Sequence, residues 1–135
     1  MANEAILVQR LQDRLTSVTV ADDTALAKGT ILKFSSDPNV AAASSADGDL
    51  FAGILAVEKV ANDGQTRMAV WTRGVFALKI GASGTAVLGE AVKINGANTV
   101  TVADDDTVEH ESEVVGISLE TGANAEVVNV RLTGR

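Results

Sequence analysis

The 135-residue sequence contains no cysteine, which excludes disulfides, thiolate metal ligands and a cysteine nucleophile. It has a single histidine, His110, so imidazole chemistry rests on one side chain. Aromatics make up 3% of the chain, namely Phe34, Phe51, Trp71 and Phe76, with no tyrosine; a stacking platform for sugars or bases needs more exposed rings than this. Cations are also scarce. Eleven Lys and Arg against eighteen Asp and Glu leave a net charge of -7, and no basic cluster offsets it, which disfavours nucleic acid and anionic membrane as partners. No stretch approaches the roughly 20 apolar residues that span a bilayer, and Met1-Ala2-Asn3-Glu4 lacks the basic start and apolar run of a secretory signal. The expectation is a soluble protein made in a cytoplasm.

What the chain does have is short runs rich in Val, Ile and Thr, separated by Gly, Asn, Asp and Ser, the pattern of strands and tight turns. The spacing predicts strands over 15–20, 30–34, 50–60, 67–80, 91–94, 99–102, 113–119 and 126–132. Turn signals fall between them at Ser36-Asp37-Pro38-Asn39, Asp47-Gly48, Asn62-Asp63-Gly64 and Asn95-Gly96-Ala97-Asn98. About eight short strands make an all-β barrel or sandwich.

The two halves also align. Lys28–Phe34 matches Leu88–Ile94 at an offset of 60 (Gly29 to Gly89), Phe51–Ile54 matches Val114–Ile117 at 63 (Gly53 to Gly116), and Met68-Ala69-Val70 matches Val128-Asn129-Val130 at 60 again. These matches predict two pseudo-repeated β-units, near 24–74 and 84–134, sharing one core within a single β-domain over 16–135, with Gly81-Ala82-Ser83-Gly84 as the turn joining them. A unit of that size is too small to stand alone.

Residues 1–15 form an N-terminal arm. Leu7, Leu11 and Leu15 recur every fourth position, a helical stripe, while an extended arm is the competing reading. Its Ile6-Leu7-Val8 cluster lies outside both repeats and needs a surface to cover it.

No catalytic constellation stands out. His110, flanked by Glu109, Glu111 and Glu113 and preceded by Asp104-Asp105-Asp106, suggests a cation site or a solvated acidic loop; the loop prevails, because the spacing fits no EF-hand and one imidazole makes no zinc site. There is no G-x-S-x-G elbow and no phosphate loop, and the carboxylates of Asp47-Gly48-Asp49 and Asp63-Gly64 sit in turns that account for them. Trp71, in Met68-Ala69-Val70-Trp71-Thr72-Arg73, is either half-buried core or an interface anchor. These readings predict no enzyme, no cofactor and no metal.

Several segments, in order, resemble the capsid cement or head-decoration proteins of tailed phages: Ala2-Asn3-Glu4-Ala5, Val18–Asp22, Lys28–Lys33, Phe51–Ile54, Glu58–Gly64, Val92-Lys93, Asn95–Asn98 and Glu113–Ile117. The resemblance covers nearly the whole chain. It implies a small β-barrel-like virion protein on the outer surface of a capsid. Its partners are then the major capsid protein and itself, as a homotrimer, and its task is to stabilise the expanded shell. In that setting Asn3, Glu4, Ile6, Leu7 and Val8 are the capsid-contacting residues, and Arg67, Trp71 and Arg73 are candidates for inter-subunit contacts. The alternative is a β-sandwich module that binds glycans or a host cell surface through Trp71.

Overall fold

The computed structural model describes residues 15–103 and 113–133, which are almost entirely β-structure. Five strands close a first barrel: β1 (Leu15–Thr19), β2 (Ile31–Ser36), β3 (Val40–Ala43), β4 (Phe51–Leu55) and β5 (Arg67–Trp71), in the order β1-β3-β2-β4-β5. After Thr72 the chain enters a second barrel made of β6 (Arg73–Ile80), β8 (Ala91–Gly96), β9 (Thr99–Val102), β10 (Val114–Ser118) and β12 (Val127–Thr133). Two short strands, β7 (Thr85–Ala86) and β11 (Gly122–Ala123), pair beside it.

The barrels share one topology. The first closes by parallel β1–β3 and antiparallel β2–β3, β2–β4, β4–β5 and β1–β5 pairs; the second has parallel β6–β9 and antiparallel β8–β9, β10–β8, β10–β12 and β12–β6 pairs. Registers correspond as well. Ile54 opposite Trp71 answers to Ile117 opposite Arg131, and the bulge at Phe34/Ser36 answers to that at Ile94/Gly96. The lone bridge Leu26–Lys59 answers to Ala86–Gly122. The positions aligned in the sequence at 60 and 63 therefore occupy equivalent places.

Each barrel fills its interior with alternating apolar residues, as strand periodicity requires. Val18, Val20, Leu32, Ala52, Leu55, Met68 and Val70 pack in the first; Ile80, Val92, Ile94, Val100, Val115, Val128 and Val130 pack in the second. Ile31, Phe51 and Ile54 depart from this division, since they project from the first barrel into the second barrel's cluster. β4 is consequently buried on both faces. Polar bonds stitch the same seam: Asn98 Oδ1 accepts from Ile31 N at 2.8 Å, Ser44 Oγ donates to Gly96 O at 3.0 Å, and Gly48 N donates to Ile94 O at 3.0 Å.

The structure differs from the sequence expectation in detail. Among the described residues twelve strands replace about eight. The run 67–80 is two strands divided at Thr72, and 50–60 is a strand only to Leu55. Gly81–Gly84 lies inside the second barrel, between β6 and β7; the units join at Thr72 instead, without any turn residue. No helix among the described residues is long and apolar enough to cross a membrane.

Candidate interaction surfaces

The carboxylates that sequence reasoning placed in turns have structural partners. Asp49 Oδ2 accepts from the N–H groups of Ser45 and Ala46, both at 2.9 Å, with Lys33 Nζ at 3.7 Å. Burial works to raise the Asp49 carboxyl, but those two N–H donors and Lys33 outweigh it and hold it below its usual value. Asp47 pairs with Lys93 across the seam at 3.3 Å.

Asp63 belongs to a cluster around Lys59, which sits fully buried inside the predicted strand 50–60 and was missed by sequence reasoning. Its ammonium donates to Asp22 Oδ1 (3.0 Å), Asp63 Oδ1 (2.5 Å), Val60 O (2.7 Å) and Asp22 O (3.3 Å). Burial alone would lower the Lys59 pKa; the Asp63 and Asp22 carboxylates reverse that and raise it. The bond from Lys59 in turn lowers the Asp63 pKa, with help from Gln65 N. At the equivalent place the second barrel has Gly122, where a Cβ would meet Val128 Cγ1 at 2.7 Å and Ile80 Cδ1 at 2.9 Å. The first barrel fills the corresponding space with a lysine chain and carries three extra loop residues to satisfy its charge.

A pH dependence follows. Carboxyls with lowered pKa values contribute stability that is present above their ordinary value of 3.8 and lost as the pH falls through the folded value. Lys59, raised above 10.5, contributes stability that is full below that value and lost only as strong alkali deprotonates the folded state. Thermal unfolding should thus be flat around neutrality and fall off below about pH 4. Asp63→Asn should lower the neutral midpoint and shallow the acid limb; an acid limb unchanged in both Asp63→Asn and Asp49→Asn would contradict this account.

Two of the exposed surfaces among the described residues bear on binding. The first is a cleft of about 210 Å³ where the barrels join, lined by Trp71, Arg73, Gly74, Val75 and Phe76. Trp71 is half-buried, its ring tilted against Phe76 with centroids 6.3 Å apart, and it packs on the second barrel's core. Arg73 is exposed on the same rim. Arg67 lies at the far end of β5, where its Nε donates to Ser17 Oγ at 3.2 Å. Trp71 and Arg73 thus come together, and Arg67 stands apart from them. Asn3, Glu4, Ile6, Leu7 and Val8, like His110 and Asp104–Asp106, lie outside the described residues.

The second surface is apolar. Val87, Leu88 (63% exposed) and Leu119 are held at one end of the second barrel by Gly89 N donating to Ser118 O and Leu88 N donating to Thr121 Oγ1. The first barrel has Ala27, Lys28 and Ala56 at the corresponding positions. The signal was present in the alignment of the halves, as an apolar pair replacing Ala-Lys in a loop.

The chain shares its fold with a phage head-fibre base. The crystal structure of the head fiber gp8.5 N base in bacteriophage phi29 superposes with a TM-score of 0.52 over 88% of this chain and 92% of that one, at 13% identity. No family model and no curated protein matches the chain.

Proposed function

We propose that this chain is a structural virion protein that binds the outer surface of a tailed-virus capsid and stabilises the expanded shell. The observation that carries the reading is the likeness of fold to a phage head-fibre base across nearly the whole of both chains. The exposed apolar end of the second barrel supports it, because Leu88, 63% exposed, stands with exposed Val87 and Leu119 in a patch of the kind that marks an interaction surface. In this reading Val87, Leu88 and Leu119 meet the capsid protein, and the N-terminal Asn3, Glu4, Ile6, Leu7 and Val8 add a second contact. Three copies gather around Arg67, Trp71 and Arg73. A protein that binds only the expanded shell shifts the shell's equilibrium toward that state by mass action and so resists internal pressure.

Co-sedimentation with expanded, undecorated capsids tests it: binding should saturate at a fixed number of copies per particle. Leu88→Asp should weaken that binding about tenfold or more, the loss expected for a central apolar contact. Failure to co-sediment would refute the proposal.

A further inference from the structure

The two barrels use the same wall differently. In the first, Ile31 stands opposite Ile54 and Ile54 opposite Trp71, and this cross-strand row packs on the second barrel's core. The counterpart in the second barrel is Ala91 opposite Ile117 and Ile117 opposite Arg131, with Val75 facing Arg131 on the next strand. Residues directly opposite one another point to the same face of a sheet. The second row is open: Ala91 and Ile117 are half-buried, and Arg131 and Val75 (57%) are exposed.

The wall around that row is cationic. Outward positions 73, 75, 77 and 79 of β6 and 127, 129, 131 and 133 of β12 are all exposed, and they include Arg73, Lys79 and Arg131 but no carboxylate, in a chain of net charge -7. Lys33, Lys59 and Lys93 each have an aspartate partner; Arg73, Lys79 and Arg131 make no ion pair among the described residues. Arg73 and Lys79 stand six positions apart on β6, roughly 20 Å. Where Trp71 meets an apolar core, Arg131 calls for an anion at the same place. Two copies meeting about a two-fold through this wall would set cations against cations, so the wall does not suit itself. A bare phosphate chain would leave Val75, Val127 (61%) and Ile117 uncovered, whereas a polypeptide can alternate carboxylates with apolar side chains.

We propose that the outer wall formed by β6, β12 and β10 is a docking surface for an acidic polypeptide segment, whose carboxylates pair with Arg131 and Lys79 and whose apolar side chains cover Val75, Val127 and Ile117. It requires no capsid, and it stands whether or not the chain binds one.

Methyl resonances of Val75, Val127 and Ile117 in the full chain report on the wall. A blocked peptide of alternating glutamate and valine, long enough to span roughly 20 Å, should shift them saturably at low salt and less at physiological salt. Lys79→Glu and Arg131→Glu should each weaken binding about tenfold, and a peptide of alternating glutamate and serine should bind several-fold more weakly than the glutamate and valine one. Lys28→Glu is the control, an exposed cation without an ion pair at another place on the surface, and should change nothing. Four results overturn the proposal: no shift at these methyls; an equal loss in Lys28→Glu, which would reduce the effect to net charge; tighter binding of an oligothymidylate of equal charge, which would assign the wall to nucleic acid; or shifts at the same methyls on concentrating the chain alone, which would assign it to a second copy. No capsid enters the measurement, so its failure leaves capsid binding untouched, and failed co-sedimentation leaves this docking untouched.

Discussion

Phe51→Ala should destabilise the protein by about 3–5 kcal/mol, near the upper end for a single core truncation, and lower the thermal midpoint by about 10 °C or more. Phe51 is 2% exposed and sits on the first barrel, yet its ring packs in the second barrel's cluster with Ile31 and Ile54. Removing it leaves a cavity lined from both sides, and neither barrel can close over the gap without moving against the other. Phe34, the same residue type one strand away and 39% exposed, is the control; Phe34→Ala should cost no more than about 1 kcal/mol. Equal losses in the two variants would show that the seam carries no special weight. Because the seam is shared, the Phe51→Ala protein should still unfold in one transition, and a split into two transitions would mean that the barrels are independent.

Gly53→Ala should cost about 3 kcal/mol or more, from two separable sources. Gly53 has φ +145, a region that L-residues rarely adopt, and a Cβ there would lie 2.8 Å from Val70 Cγ2, inside the first barrel's core. Gly29→Ala isolates the first source, since Gly29 has φ +90 with open space around it; its cost should be about 1–2 kcal/mol. Denaturant midpoints at constant slope measure the difference. If Gly53→Ala proved as mild as Gly29→Ala, the close approach of β4 to Val70 would be wrong.

The β-class, most strand positions and the equivalence of the two halves can be read from the chain because alternation and turn residues are local signals. Leu15–Thr19 and the paired β8 and β9 stand out for their Val, Ile and Thr, with Asn98 marking the turn between the latter two. β3 does not, because Val40-Ala41-Ala42-Ala43 has little β-propensity of its own and is a strand only through its pairing with β2. The junction at Thr72 is equally silent: Arg67–Ile80 alternates without a break, and nothing in the residues says that the chain changes barrels there. Lys59 looks like a solvated charge in the sequence. Its burial depends on Asp22, thirty-seven positions away, which no local pattern connects to it. Trp71 was open between core and surface, and it proves to be half of each, packed on the second cluster while lining a cleft.

The pairing of Leu15 with Trp71 and of Thr133 with Arg73 brings the two ends of the barrels to the same spot, on either side of Thr72. Adjacent strands lie about 5 Å apart, so these ends are separated by roughly 10–15 Å. A short flexible loop closes such a distance at little entropic cost, which makes the chain a natural substrate for circular permutation, with new termini opened in an exposed turn such as Asp37-Pro38. A partner inserted directly before Leu15 or after Thr133, whether a reporter or an antigen for display, would be attached beside the barrel junction at Thr72.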